Sequence, residues 1–505
     1  MKILLVHPKQ SELMVGFTTL VQPEPLALES IAAGVLDRHE VILIDKRVDP
    51  IPLETVFADF RPDLVCTTGY TTDVPNMMRI CQAAKAWDQH VVTVIGGYHA
   101  SLVPQDFDLP YVDFIVDGEG EITFKELVDC LAAKDDPAKV LGILLRKDGQ
   151  QVATPHRPPV KSLDSLPPPA RHLVDHYRKD YHFHFWENVY VMETARGCPF
   201  RCNFCSVWVF HEGRYRVQHP ERVVEELAAM ETDTVCFLDD IFMETPSYAE
   251  RIADLLKQRG IKKRYWSQLR SDNIVKRPDL IQKWAEVGMH TCLVGFEKFR
   301  QAELDNVEKW NTVANNEKAM EILDQHNIDM WGAFIVDPSY DDTDFEELIQ
   351  YVKSKRMAFP QFTILTPLPG TGLFKDKLHE ITHFNPELFD FLHSVLPTKL
   401  PVERFYANMA RLYQETQMGF SEVRRRIRDG RIPKSSLERM RGLLKSVTDP
   451  QSYLRGLQTG LQERFTEIGQ NVRSHVRQEP KVIHRKPIEG LSLSAGVGHT
   501  SSSQV

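Results

Sequence analysis

The stretch "ARGCPFRCNFC", Ala195 to Cys205, brings three cysteines within eight residues. A structural zinc site closes four ligands around its metal, so three thiols on one loop either borrow a distant partner or leave a coordination position open. Iron–sulfur clusters are also held by cysteine thiolates, and a 4Fe-4S cube with only three of them keeps one iron free to bind another molecule. The spacing of Cys198, Cys202 and Cys205 places all three thiolates on one tight loop and favours the cluster. A zinc site completed by His211 or Cys236 is the competing assignment. Phe204, between the second and third cysteines, suits either shielding of a cluster or ordinary packing.

Reactive groups need a scaffold, and the residues around the triad alternate strand and helix signals. From Asn188 the runs "VYVMETARG", "TVCFLDD", "RYWSQLR", "TCLVGFE", "MWGAFIV" and "FPQFTILTPLPG" are strand candidates, with helical patterns such as "PERVVEELAAM" between them. Such an array predicts a parallel, barrel-like sheet whose chemistry sits where strands end and loops begin. The cysteine loop follows the first of these strands. The next strand ends carry Asp239 and Asp240, then Arg270, then Glu297, and a charged residue at such a place is either a ligand or a solvated loop residue. "TPLPGTGLF", Thr366 to Phe374, follows the last strand as a closing segment or a plain turn.

The first 130 residues hold five further strand signals, "KILLV", "EVILID", "DLVCTTG", "VVTVIGG" and "DFIVDGEGE", separated by helical stretches. This is the pattern of a doubly wound parallel sheet, in which ligands lie across the carboxyl ends of the strands. The loops that matter are therefore Pro8 to Pro25, Thr67 to Asn76, Gly96 to Ser101 and Gly118 to Glu121. A Pro-rich connector, "TPHRPPVKSLDSLPPPA", follows, where proline removes donors and blocks regular structure. The His-rich run "HYRKDYHFHFW" fits no ligand spacing and reads as linker packed against the barrel. Beyond Phe374 the pattern turns helical.

The hydrophobic fraction of 42% and charged fraction of 26% are globular values. The start, "MKILLVHPKQ", lacks the apolar run and cleavage pattern of a signal peptide, and no stretch reaches the length of a spanning helix. A cytoplasmic, reducing location is expected, with the eight cysteines as thiols or metal ligands. The net charge of −9 argues against a general nucleic-acid binder. From Ser421 to Glu489, however, Lys and Arg outnumber Asp and Glu roughly two to one. That segment is either a solvated helical face or a contact with an anionic partner or the inner membrane face.

Taken together, the triad, the aromatic before its last cysteine and the strand-end residues resemble the radical S-adenosylmethionine enzymes. The N-terminal sheet is similar to the cobalamin-binding domains that precede them. The resemblance implies an α/β fold: an N-terminal doubly wound, Rossmann-like cobalamin-binding domain (1–150), a Pro-rich linker (151–187) and a radical S-adenosylmethionine partial (β/α)6 barrel (188–380). A helical domain (381–489) and a disordered tail (490–505) follow. It implies a 4Fe-4S cluster on Cys198, Cys202 and Cys205, with S-adenosylmethionine on the open iron and Asp239 or Asp240, Arg270 and Glu297 as its contacts. It also implies cobalamin against the glycine loops, Gly96, Gly97, Gly118, Glu119 and Gly120, where missing side chains let a large cofactor approach the backbone. His99 either hydrogen-bonds the corrin or its nucleotide, or is a satisfied loop histidine. The loop after the first strand, "HPKQSELMVGF", lacks the Asp-x-His-x-x-Gly pattern that ligates cobalt from below in methionine synthase-type domains. The resemblance is thus to radical enzymes with no protein ligand on that face, and Tyr70 is expected to pack beneath cobalt.

The activity this implies is C-methylation: hydrogen abstraction by a 5′-deoxyadenosyl radical, then methyl transfer from cobalamin, with a flavodoxin or ferredoxin as reductant. The likeness is greatest to hopanoid C-3 methylases, whose substrate is a large apolar lipid. Methylation of bacteriochlorophyll or another large apolar ring, and radical cyclisation in tetrapyrrole biosynthesis, are the alternatives. On this reading Cys202→Ala abolishes reductant-dependent cleavage of S-adenosylmethionine and removes the cubane absorption after anaerobic reconstitution.

Overall fold

The computed structural model describes residues 1–458 except 17–19, 148 and 356, so the expected tail and the helical stretch past 458 lie outside the described residues. Residues 2–153 build a seven-stranded sheet of β1 (Lys2–His7), β2 (Glu40–Asp45), β3 (Leu64–Thr68), β4 (Val92–Gly96), β5 (Phe114–Val116), β6 (Ile143–Lys147) and β7 (Gln150–Ala153). The order is β2-β1-β3-β4-β5-β6-β7, parallel through β5 and antiparallel for the last two. The five parallel strands are those expected, and their near-continuous apolar runs suit a sheet covered on both faces. The order in which strands are added reverses between β1 and β3, so the crevice of this sheet opens where Pro8–Pro25 and Tyr70 lie.

The six expected barrel strands all form: β8 (Tyr190–Met192), β9 (Thr234–Phe237), β10 (Arg264–Leu269), β11 (Met289–Glu297), β12 (Asp329–Val336) and β13 (Phe359–Ile364). They pair in sequence order, all parallel. Alternation sorts their side chains. Phe237, Tyr265, Val294, Phe334 and Phe362 pack outward against the helices, while Val191, Cys236, Trp266, Trp331 and Phe359 form a separate inward cluster.

The connector is more ordered than its prolines imply. Val21–Gln22, from the loop after β1, pairs antiparallel with His182–Phe183, which pairs with Trp186–Glu187. Glu24, fully buried, accepts from Arg171 and Arg178 at 2.5 Å each and from the Val191 N–H at 2.8 Å. Side chains thus anchor a segment whose prolines cannot supply a backbone ladder.

The helices α1 (Val402–Thr416), α2 (Phe420–Arg428), α3 (Leu437–Thr448) and α4 (Pro450–Gln458) close the barrel. The Tyr413 hydroxyl accepts from the Phe362 N–H at 3.1 Å and donates to its carbonyl at 2.7 Å, covering the free edge of β13. Two arginines of the basic run at Arg424 are engaged inside the molecule, while Arg424, Arg425 and Arg428 stay exposed. Arg426 and Arg431 both pair with Asp329, at 2.5 and 2.7 Å, and Arg425 pairs with Glu422. No helix among the described residues is long and apolar enough to cross a membrane. Asp329→Ala strands two arginines at the base of β12 and is expected to cost about 3 kcal/mol. A thermal melt against the parent chain, with Glu231→Ala as an exposed control, checks this.

Candidate active site

The cysteine loop is built by its neighbour strand. At the end of β9, Asp239 is fully buried, and it accepts from the Thr194 N–H at 2.6 Å, the Thr194 hydroxyl at 2.5 Å and the Ala195 N–H at 3.0 Å. Asp240 accepts from the Gly197 N–H at 2.8 Å. Gly197 has φ +88°, and a Cβ there would run into the Arg214 carbonyl, so only glycine allows the loop to turn at this point. Ala195–Arg196 and Arg216–Val217 form a two-stranded ribbon around that turn. Asp239, expected to touch a cofactor, is instead a backbone clamp. Asp240 shares that task but remains partly open, with its carboxyl pushed up to about 7 by burial.

Burial also pushes the Cys198 thiol up to about 11 and that of Cys205 to about 12. Cys202 is raised as well, with Lys309 and Arg270 pulling the other way. Loading of metal must therefore remove protons from all three. The zinc alternative lacks its fourth ligand: Cys236 is fully buried in the sheet, and His211 faces the Tyr98 hydroxyl at 3.2 Å and Arg216 at 3.2 Å. Among the described residues no three His, Cys, Asp or Glu side chains close on a single ion. A cubane spreads its thiolates over separate corners and does not ask for such closure. Phe204 packs with Ile335, Leu365 and Leu373, and the Leu373 N–H donates to the Asn203 carbonyl at 3.0 Å. "TPLPGTGLF" thus closes on the cysteine loop.

Arg270 and Glu297 stand at the ends of β10 and β11. Arg270 donates to Asp272 at 2.9 Å and to the Lys309 carbonyl at 3.0 Å, and its guanidinium lies 3.6 Å over the Phe200 ring of the cysteine loop. Glu297 has φ +62° and takes a 2.7 Å ion pair from Lys309; a Cβ at Gly295 would collide with its carboxylate. Nothing in the sequence marked Lys309, which reaches the site from a loop and lies near Cys202.

On the facing domain, Tyr70 is 65% exposed, yet the surrounding protein pushes its phenol up to about 12. A side chain ringed by protein and still open to solvent stands in the wall of a cleft. Its ring is 5.5 Å from that of Tyr98, which stacks at 4.2 Å on Phe210 of the helix after the cysteines. Tyr98 went unmarked in "GGYHAS" because its partner lies 112 positions away. Gly118, with φ +88°, faces open space, whereas Gly97 is required by the Gly69 backbone beside it. Gly96 and Gly120 meet Val116 and Ile31 of their own domain. Both ring nitrogens of His99 have partners within the domain, Thr71 at 3.0 Å and Asp106 at 2.8 Å, the geometry of a satisfied loop histidine. The open face of Gly118, the exposed Tyr70 and the neighbouring thiol loop fit a large flat cofactor above a cluster.

Glu119, expected at the cofactor, is a latch between domains. It accepts from Arg216 at 2.7 and 3.0 Å, from Arg196 at 3.5 Å and from the Val160 N–H at 2.7 Å. Arg196, two residues before Cys198, also donates to Glu121 at 2.5 Å and Glu193 at 2.6 Å.

Residues 14–128 match the B12 binding domain family, and residues 192–352 the Radical SAM superfamily. The chain is 29% identical over 478 residues to the hopanoid C-3 methylase of Methylococcus capsulatus, covering 90% of this chain and 89% of that protein. It is 30% identical over 387 residues to an uncharacterized methyltransferase of Pyrococcus horikoshii, covering 74% and 83%. The anaerobic magnesium-protoporphyrin IX monomethyl ester cyclase of Rubrivivax gelatinosus is 27% identical over 414 residues, covering 78% and 73%. Among solved structures, TsrM of Kitasatospora setae with cobalamin and a 4Fe-4S cluster bound matches with a TM-score of 0.61 at 16% identity, covering 83% of this chain and 89% of that one. OxsB with aqua-cobalamin and S-adenosylmethionine bound matches with a TM-score of 0.65 at 14% identity, covering 94% and 81%. They share its fold.

Burial opposes ionisation of Glu119, but Arg216 and Arg196 hold its carboxyl down at about 2, below its ordinary value of 4.5. That displacement corresponds to about 3 kcal/mol, present above pH 4.5 and lost as pH falls toward 2. Glu119→Gln should therefore melt lower than the parent at pH 7, with the gap narrowing on acidification below 4.5; a constant gap would locate the effect elsewhere.

Proposed function

As a member of the cobalamin-dependent radical S-adenosylmethionine methyltransferases, the family to which this chain belongs, the protein methylates carbon, and we propose that its substrate is a hopanoid lipid methylated at C-3 of ring A. The observation that carries the substrate class is the inner wall of the barrel. Leu238, Leu293, Ala333 and Ile335 alternate inward along three strands, and the first three are only half-buried. Gln268, Gln361 and Thr363 share the inward register, so the lumen is apolar on the side of Leu238, Leu293 and Ala333, which suits one face of a ring system with no polar handle near its reacting carbon. The similarity to a hopanoid methylase over 478 residues points the same way.

The cluster, S-adenosylmethionine and cobalamin supply, when bound, reductive bond cleavage, hydrogen abstraction and a methyl group. The chain's part is positioning. Cys198, Cys202 and Cys205 hold the cluster and leave one corner for S-adenosylmethionine. Arg270, fixed by Asp272 and the Lys309 carbonyl, is oriented to grip a carboxylate. Asp240 accepts from the ammonium and Glu297 from ribose hydroxyls. Tyr70 would pack against the corrin, and the open space beside Gly118 would let its periphery approach the backbone, while Gly96, Gly97 and Gly120 serve the packing of their own domain. The stacked Tyr98 and Phe210 join the loop after β4 to the helix after the cysteines and so would set corrin and cluster relative to one another. The enzyme needs a reductant, for which a flavodoxin or ferredoxin is the fitting class.

Deleting the gene from a hopanoid-making host is expected to remove the 3-methyl species, and restoring it with methyl-deuterated methionine to return them carrying the label. Unchanged hopanoids together with an altered tetrapyrrole would replace this substrate by a tetrapyrrole, with label in the product separating methylation from cyclisation.

A further inference from the structure

The barrel is not simply plugged at the end away from the cysteines. Beneath α1 to α3 lies a cavity of about 550 Å³, open mouth included, whose walls include Phe185, Trp331, Phe359, Met418, Met440 and Leu444. Its polar exceptions are two amide side chains, Gln361 and Gln417, and Tyr413, whose hydroxyl is engaged by Phe362. Two thioethers let such a wall adapt to a rigid guest. Phe185, Trp331 and Phe359 are shared with a smaller adjoining cavity, which His184 and Trp266 also line.

That smaller cavity holds an unusual set of polar atoms. His184 is 7% exposed, its ring tilted 37° against that of Trp331 with centroids 3.8 Å apart, and has no partner for either ring nitrogen. Trp266 is 3% exposed and its Nε1 is likewise unpartnered. The remaining charged residues there, Asp329 and Arg431, satisfy each other. A buried polar atom without a partner costs about 1–3 kcal/mol, and three such atoms on one wall, two donors and one acceptor, are rarely retained without an occupant. His184 is also held at φ +53°, a conformation that the surrounding packing must enforce. Burial pushes its imidazole down to about 3, so at neutral pH it offers one donor and one acceptor.

We infer that this compartment receives the far end of the substrate, and that this end is an apolar skeleton carrying a hydroxyl, seated against Met418 and Met440 with its oxygen toward His184 and Trp266. The inference rests on the lipid reading above and adds the position and chemistry of the distal group. Four steps along β12 lead from Trp331 to Ile335, a rise of roughly 13 Å. The lumen walls over that distance are half-buried at Leu238, Leu293 and Ala333. A long, stiff ring system whose reacting edge meets the strand ends sets its opposite end on the aromatic floor. A flexible chain would gain no such alignment.

The test uses the reconstituted full chain and three diazirine probes, a hydroxylated pentacyclic triterpenoid, the corresponding hydrocarbon and a linear hexadecanol. The triterpenoid is expected to label residues 418–444 and the 183–186 strand pair, and Met418→Trp, which fills the cavity from a loop, to cut that labelling about tenfold while cobalamin content stays unchanged. His184→Phe, keeping the ring without its nitrogens, should lower the preference for the alcohol over the corresponding hydrocarbon about tenfold. Labelling confined to the strand ends, equal labelling by hexadecanol, or indifference to both substitutions overturns the site and leaves these nitrogens to water. If triterpenoids are methylated with unchanged KM in Met418→Trp, the compartment fails and the substrate reading stands. If the probe labels the compartment but is never methylated, the reading fails and the compartment stands.

Discussion

The carboxylate of Asp239 holds the reactive loop. Two backbone N–H groups and a hydroxyl from Thr194 and Ala195 converge on it in a fully buried setting, where hydrogen bonds to a carboxylate are short and strong. Asp240 adds the Gly197 N–H, so the end of one strand fixes the backbone that delivers three thiols from the strand beside it. The thiols then occupy one rim of the barrel. Arg270, stacked on Phe200, and Glu297, folded back over Gly295, stand along the same rim.

A second constraint sets the two sheets against each other. Glu119 and Glu121 begin the helix after β5, and both close on Arg196, in the turn that carries Cys198. The strap after β1 extends the junction: Val21–Gln22 pairs with the linker, and the Val15 N–H reaches Asp390. The loop after β1 thus ties the sheet to the barrel and to the segment that closes it. His7 is accordingly neutral, burial holding it at about 4. Tyr70 and Tyr98 make an aromatic face on this domain, their rings 5.5 Å apart. The division of labour in the barrel follows from strand alternation, which sends one set of side chains to the helices and the other to the lumen.

Most of the scaffold was legible because it is written in local patterns. Eleven strand signals appeared where strands form, since buried parallel strands need continuous apolar runs and turns need glycine or proline between them. The cysteine triad was legible for the same reason: its spacing lies within one loop. Charged strand-end residues were readable as positions but not as tasks. Asp239 and Asp240 are adjacent and alike in sequence, yet one is sealed behind the loop and the other faces it. Glu119 sat in a glycine-rich loop and looked like a cofactor contact, whereas arginines 77 and 97 positions later claim it. The basic C-terminal run had the composition of a membrane-facing helix, and the acceptor for two of its arginines is Asp329, about a hundred residues earlier.

The sequence by itself determined the two sheets, the loop that gathers the thiols and the class of cofactors, because periodicity and short spacings act over one element at a time. Only the tertiary structure decided which carboxylates clamp backbone, which latch domains and which are left facing the cleft. It alone brought Lys309 beside Cys202, Tyr98 onto Phe210 and two unpartnered nitrogen-bearing rings to the base of the lumen. Those outcomes depend on burial and on partners far along the chain, and neither is fixed by a residue's neighbours in sequence.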